Sequence, residues 1–370
     1  MNTERYHRQL ILKGFNSQSQ QRLTAANVLV VGAGGLGCPA LQYLTAVGVG
    51  HIGIIDHDVV ALSNLHRQIL FGTRDVGKLK VVAAEERLKA LNPDIQFTIY
   101  PYKIQKFNIL DLLAQYDYIL DATDNFQSRY LINDACMLLN RPLVFAAVAR
   151  YEGQLAVFGV SDDQGKKTNY RDLFPIPPSK GEIPNCEENG VLGVLPGIIG
   201  AMQAAEVIKL ITGIGKPLIN KILSYDLLTQ QFYEIKIAQA PANTYQLPNT
   251  EIEFLEMHQT DNHLEKELIE IDTLMLENLK ASHALIIDVR EIGESPRLNP
   301  IVYKQVPMSE FDGFLNQEIV QEHIVLICQH GIRSVAAAEQ LQEKYGDTKK
   351  IYSLKGGLAR YQAFFSNQQA

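Results

Sequence analysis

Between Asn27 and about Leu120, short runs of branched aliphatic residues alternate with longer segments whose apolar positions recur at helical spacing. The order is NVLVV, CPALQYLTAVG, HIGIID, KLKVVAAEERLKAL, IQFTIY and DYILDATD. That alternation predicts a parallel sheet with helices on both faces. PLVFAAV and the return run QLAVFGV extend the sheet, and KILSYDLL and QFYEIKI close it. Two segments break the pattern. From Ser161 to Glu188 the chain is rich in Pro, Lys, Asp, Asn and Gly, which predicts a long irregular surface loop. VLGVLPGIIGAMQAAEVIKLITG then predicts a helix from near Pro196 to Gly213.

After residue 238 the periodicity lapses. Residues 239–263 hold prolines and polar side chains with no sustained period, and a linker is expected there. A second α/β unit follows over 264–370, in which HALIIDVRE, HIVLICQHG and KKIYSLKGG each carry a short apolar strand ending in polar residues or glycine. The expected fold class is therefore α/β, a doubly wound sheet over residues 1–238 and a smaller α/β domain. At 370 residues and 46% hydrophobic content, the chain is long enough for two cores.

Charge narrows the partners. A formal net charge of -7 gives no support for binding polyanions, so nucleic acid is not an expected partner. MNTERYHRQL lacks the apolar core of a signal peptide, and no later stretch approaches about 18 uninterrupted apolar residues; no membrane association and a cytoplasmic location are expected. The four cysteines (Cys38, Cys136, Cys186, Cys328) form no C-x-x-C pair, which argues against a disulfide framework or thiolate zinc site and for single-thiol chemistry.

VVGAGGLG places Gly32, Gly34 and Gly37 in G-x-G-x-x-G spacing between a strand and a helix, with Gly35 inside the loop. Such glycines permit a tight turn and close backbone approach to phosphate, and the helix N-terminus favours an anion. Asp56 ends the next strand nineteen residues after Gly37, where a carboxylate can bond ribose hydroxyls. The pattern alone leaves dinucleotide and mononucleotide open. NLHRQ and VGKLK then bring Arg67, Lys78 and Lys80 after the second strand, a cation cluster that suits a triphosphate better than a nicotinamide cofactor. DATDN ends another strand with two carboxylates, and Asp124 could hold Mg²⁺ bridging phosphate oxygens.

RYHRQLILKGF, GAGGLG, IIDHD, SNLHRQ, DVGKLK and DATDN occur in the order found in the ThiF/MoeB/HesA adenylyltransferases, relatives of ubiquitin-activating enzymes, and residues 4–237 resemble them. The resemblance implies ATP and Mg²⁺ as cofactors, with Asp56 holding the ribose, Asn64, Arg67 and Lys80 on the phosphates, Asp124 at the metal and reacting centre, and Asp58 and Asn125 among the nucleotide-binding residues. It also implies a homodimer in which Arg8 reaches the neighbouring subunit's ATP. Many relatives carry two C-x-x-C pairs for a structural zinc; here the corresponding positions are Asn169 and Asp172, and Asn243 and Gln246, so no zinc site is expected. By the same resemblance Cys186, in IPNCEENG, is a candidate for a covalent link to the carrier; a non-catalytic loop cysteine is the other reading. Cys38 and Cys136 are expected to be packed.

CQHGIRS sets Cys328 after a strand and before a helix, a way to surround one sulfur with N–H groups that stabilise a thiolate or persulfide. With DVRE and LKGGLARY it resembles the rhodanese active loop. Four residues separate Cys328 from Arg333, one fewer than in cysteine phosphatases, which favours sulfur over phosphate. Together the two resemblances imply adenylation of the C-terminal glycine of a ubiquitin-like sulfur-carrier protein ending in Gly-Gly. Sulfur from a Cys328 persulfide, loaded by a donor such as a cysteine desulfurase, would then give a thiocarboxylate. Three alternatives stand beside this: activation of a ubiquitin-like protein modifier with the second domain as a binding module, an NAD-dependent redox enzyme, and a non-catalytic binding protein.

Overall fold

The computed structural model describes residues 3–178, 190–241, 243–258, 269–329 and 331–366. The chain divides into two compact units, 1–258 and 259–370.

The first unit is built on an eight-stranded sheet: β1 (Asn27–Val31), β2 (His51–Ile55), β3 (Gln96–Tyr100), β4 (Tyr118–Asp121), β5 (Leu143–Ala149), β6 (Glu152–Phe158), β7 (Lys221–Asp226) and β8 (Gln231–Lys236). Its order is β3-β2-β1-β4-β5-β6-β7-β8. The first five pair in parallel and β5 through β8 pair antiparallel. Successive side chains of a strand point to opposite faces, and β1 shows the consequence. Val28 and Val30 enter one apolar core with Leu41, Leu44 and Val207, while Leu29 and Val31 enter the other with Ile119 and Phe145.

The helix Val194–Thr212 carries Pro196 in its first turn and ends on Gly213 in the left-handed conformation. It is long and apolar enough, by composition, to cross a membrane, although broken by Gln203, Glu206 and Lys209. Leu195, Ile199, Ala204 and Val207 instead pack into the unit's core, as expected of the central helix of a folded sheet protein.

The first unit extends into the segment 239–263 as far as His258. Thr250 caps a helix, Glu251–Met257, whose Phe254 is fully buried in the second core, and His258 Nε2 lies 2.9 Å from the buried carboxylate of Asp134. One buried aromatic in a seven-residue helix leaves no repeat to read, which is why the pattern suggested a linker.

The second unit has a five-stranded parallel sheet of β9 (Ile269–Ile271), β10 (Leu285–Asp288), β11 (Tyr303–Gln305), β12 (His323–Ile327) and β13 (Lys350–Leu354), in the order β11-β10-β12-β13-β9. Alternation again divides the core: Ile324 and Leu326 on one face, Val325 and Ile327 on the other.

Candidate active sites

In the first unit Val31 pairs with Ile55 on one side and Asp121 on the other, so Gly32, Asp56 and Ala122 follow at one level. The strand order reverses at β1/β4, the place where open α/β sheets bind ligands beyond the carboxyl ends of their strands. Gly32 has φ +98°, and a Cβ there would lie 2.9 Å from the Ala122 carbonyl oxygen; a Cβ on Gly37 would lie 1.9 Å from that of Gly32. Both positions require glycine. Gly34 and Gly35 border the segment after β2, a Cβ on Gly35 falling 3.5 Å from Arg67 Cγ.

The predicted binding residues gather around this loop. Asp56 accepts the backbone N–H groups of Ala33 and Asp58, both at 2.8 Å; burial pushes its carboxyl upward, and nearby Lys80 opposes that. Lys80 is buried and its Nζ donates to Asp58 at 2.7 Å. Asn64 caps its own turn through the Ala61 N–H at 3.1 Å, and half-buried Arg67 donates to the Ser63 carbonyl at 3.3 Å. Lys78 does not join the set; it pairs with Asp75 at 3.4 Å and Glu86 at 3.1 Å.

DATDN separates its two carboxylates. Asp121 is fully buried and accepts both the N–H (2.9 Å) and O–H (2.6 Å) of Thr123, whereas Asp124 is exposed. Burial raises the Asp121 carboxyl above its ordinary range. Asn125 caps the helix Phe126–Leu138 through Ser128 N–H at 2.8 Å, a structural task its side-chain oxygen already performs. Arg8 is exposed on the helix Thr3–Leu10.

Two crevice residues were not foreseen. Arg129 is buried between Phe126 and Phe145 and donates to the Thr123 carbonyl at 3.3 Å. Gln203 is fully buried and donates to the Asp121 carbonyl at 2.7 Å. A lone glutamine in an apolar helix was the available signal. Among the described residues, Asp121 Oδ2, Arg129 Nε, Gln68 Oε1 and Gln203 Oε1 are buried without a hydrogen-bond partner. All four belong to segments bordering the glycine loop or DATDN. Buried polar atoms of this kind call for water, an ion or a ligand.

Asp56, His57 and Asp58 also bring their ligand atoms within 4.8 Å of one another. Asp56 and Asp58 are already engaged by backbone N–H groups and by Lys80.

At the positions matched to zinc ligands, Asn169 and Asp172 are joined to Tyr245: Asn169 Nδ2 donates to Tyr245 at 2.6 Å, and Tyr245 donates to Asp172 at 2.9 Å. Ala240 N–H adds a bond to Asp172 at 2.8 Å. Hydrogen bonds thus tie the two segments, while Asn243 and Gln246 are exposed. Cys38 and Cys136 are buried, with thiols pushed up by burial, Cys38 to about 12. Cys186 lies outside the described residues.

In the second unit Cys328 follows β12 and is buried. Its sulfur accepts the Gly331 N–H at 3.1 Å and lies 3.4 Å from Ser334 Oγ, which Ser353 Oγ approaches to 2.9 Å. The backbone N–H of Gly331 precedes the helix Ile332–Tyr345, so a helix start faces the sulfur. Arg333 makes a two-pronged ion pair with Glu294, at 2.6 and 2.9 Å. Arg290, from DVRE, is buried against both oxygens of Asp288 and the Pro296 carbonyl.

The ThiF family profile matches residues 6–246, and the rhodanese-like domain profile matches residues 273–364. The sulfur carrier protein adenylyltransferase of Thermus thermophilus is 48% identical over 239 residues, 64% of this chain and 88% of that protein. The probable adenylyltransferase/sulfurtransferase MoeZ of Mycobacterium tuberculosis is 46% identical over 238 residues, 64% of this chain and 61% of that protein. The adenylyltransferase and sulfurtransferase MOCS3 of Drosophila persimilis is 38% identical over 381 residues, 96% of this chain and 82% of that protein. Among solved structures, E. coli MccB with ATP has a TM-score of 0.53 at 24% identity over 60% of this chain and 68% of that one, a likeness of fold. A glycine loop at the sheet's switch point, a cysteine loop on a second parallel sheet and relatives that span both halves lead to one assignment: the chain belongs to the ThiF family and carries a C-terminal rhodanese-like domain.

Proposed function

We propose that the chain activates a small ubiquitin-like sulfur carrier and supplies it with sulfur. In the first step the carrier's C-terminal carboxylate attacks the α-phosphorus of ATP, forming an acyl-adenylate and releasing pyrophosphate. The protein's task is to hold the triphosphate and stabilise the charge that moves onto the leaving group. Arg67 and Lys80 are the cations beside the glycine loop, and Asp56 and Asp58 take the ribose side. Mg²⁺, held at Asp124, supplies charge neutralisation of the phosphates when bound. Asn64 contacts phosphate, and Arg8 completes the site of a neighbouring subunit in a homodimer.

In the second step a Cys328 persulfide anion attacks the acyl carbon, and AMP leaves with its electron pair. The resulting acyl disulfide is cleaved by a thiol, for which Cys186 is the candidate, giving the carrier thiocarboxylate and a disulfide on the enzyme. A low-molecular-weight or protein dithiol then reduces that disulfide by two electrons, a cysteine desulfurase is the class of donor that reloads the freed Cys328 thiol, and the setting is cytoplasmic.

The observation that carries this reading is the pairing on one chain of a glycine loop packed against the DATDN strand end with a buried cysteine held by a helix-start N–H. Relatives named for both activities support it. The test is carrier-dependent ATP–pyrophosphate exchange with a Gly-Gly carrier. Absence of exchange with every such carrier would overturn the adenylation step.

A further inference from the structure

Arg333 is the cation that the cysteine loop itself contributes, but its charge is already engaged. Glu294 takes both terminal nitrogens, at 2.6 and 2.9 Å, and its Oε1 also accepts the Glu291 N–H at 2.8 Å. The placement is built into the loop. Arg290, 1% exposed, holds Asp288 at one end of the segment and the Pro296 carbonyl at the other, so Glu294 is presented from a braced turn. Glu291 is fixed in turn by the N–H and O–H of Ser309. Arg333 and Glu294 are each about one-third exposed, so the pair stands at the solvent side of the loop while Cys328 is buried.

The local charge follows. Arg290 is paired with Asp288 and Arg333 with Glu294, and the Glu291 carboxylate stands beside them on Ser309. Arg360, the further cation near Gly356, is exposed and lies over the Tyr361 ring. A small dianion approaching this rim meets an Arg333 whose charge Glu294 already neutralises.

Resting on the sulfur-transfer reading above, we propose that Glu294 is a specificity residue. By occupying Arg333 it excludes small sulfur oxyanions from Cys328 and leaves the site to donors that deliver a neutral persulfide. The two loading reactions differ in charge. With thiosulfate, the Cys328 thiolate attacks the outer sulfur, a new S–S bond forms, the old one breaks, and sulfite departs as a dianion with the bonding pair. With a protonated persulfide, the thiolate attacks the outer sulfur, the leaving thiolate carries off one negative charge, and the proton stays on the transferred sulfur. The first requires a cation at the rim, and the second does not.

The test uses the full chain, thiosulfate or cysteine persulfide as donor, and cyanide as acceptor, read as thiocyanate. Glu294→Gln keeps the shape and one hydrogen bond to Arg333 while removing the charge. It is expected to lower the KM for thiosulfate by roughly tenfold at low salt, with the gain shrinking as ionic strength rises. Turnover with cysteine persulfide should change by less than about threefold, the range of an exposed pair's worth. In Glu294→Gln/Arg333→Gln the thiosulfate gain should vanish. An unchanged KM in the single variant, or an equal change with both donors, overturns the proposal, as does a gain that survives loss of Arg333. If mass analysis finds no Cys328 persulfide on the unsubstituted chain with either donor, the sulfur-transfer reading itself fails; a persulfide that forms normally beside an unchanged thiosulfate KM in Glu294→Gln overturns the Glu294 proposal alone.

Discussion

The two cation sites treat charge in opposite ways. Around the glycine loop, half-buried Arg67 bonds, among the described residues, to a carbonyl and a neighbouring histidine, Lys80 is paired with Asp58, and Asp124 is exposed. Around Cys328, Arg333 is clamped by a carboxylate, and among the described residues the sulfur accepts a backbone N–H and lies against the Ser334 hydroxyl. A triphosphate brings several charges that need several partners, whereas a persulfide brings one, which the Gly331 N–H at a helix start can meet. The first unit therefore holds a guanidinium free of carboxylates among the described residues, and the second a guanidinium that a carboxylate clamps.

The contrast is broken most decisively at Asp124. Asp124→Ala should lower ATP–pyrophosphate exchange by about 10³-fold, the scale for losing one preorganised electrostatic partner, without altering Cys328 persulfide formation measured by mass. A parallel fall in both would mean that Asp124 serves the fold rather than the crevice.

Phe254→Ala comes next. Loss of a fully buried phenylalanine from the first unit's core should cost about 3–4 kcal/mol. Two calorimetric transitions are expected, and only the first unit's should move.

Asp75 gives a smaller effect. It is buried under the Gly72 N–H, Arg87 and Lys78, which hold its carboxyl down at about 2 from an ordinary 3.8. Because the folded value is depressed, its contribution is complete above about pH 4 and is lost as pH falls toward 2. Asp75→Asn should cost about 2 kcal/mol at neutral pH, and the difference between variant and parent in urea should narrow over that acid window. Glu294 titrates the same way, held at about 2 chiefly by its hydrogen bonds from Arg333, so Arg333 stays masked at every pH above the ordinary glutamate range.

Much of this was legible in the residue pattern. Strands with period two and a glycine loop at fixed spacing are local signals, and β1, β2, β4 and β12 fall where the apolar runs predict. Asp56 and Cys328 stand at strand ends for the same reason. What escaped was set by tertiary contact: Phe254 anchoring a helix in a polar stretch, Lys78 drawn to Asp75 and Glu86, and the Arg129 and Gln203 bonds that brace DATDN. Glu294 is instructive. It lies 39 positions before Arg333, and nothing in the spacing of either motif announces the pair.

The central claim, that one chain activates the carrier and then delivers sulfur to it, is tested most directly by mass analysis of a Gly-Gly carrier incubated with ATP, Mg²⁺ and a persulfide source, comparing the parent chain with Asp124→Ala and Cys328→Ala. Thiocarboxylate formation should require both residues, with pyrophosphate exchange lost only in Asp124→Ala. A thiocarboxylate that forms at full yield without Cys328 would contradict the account and leave the second unit as a binding module.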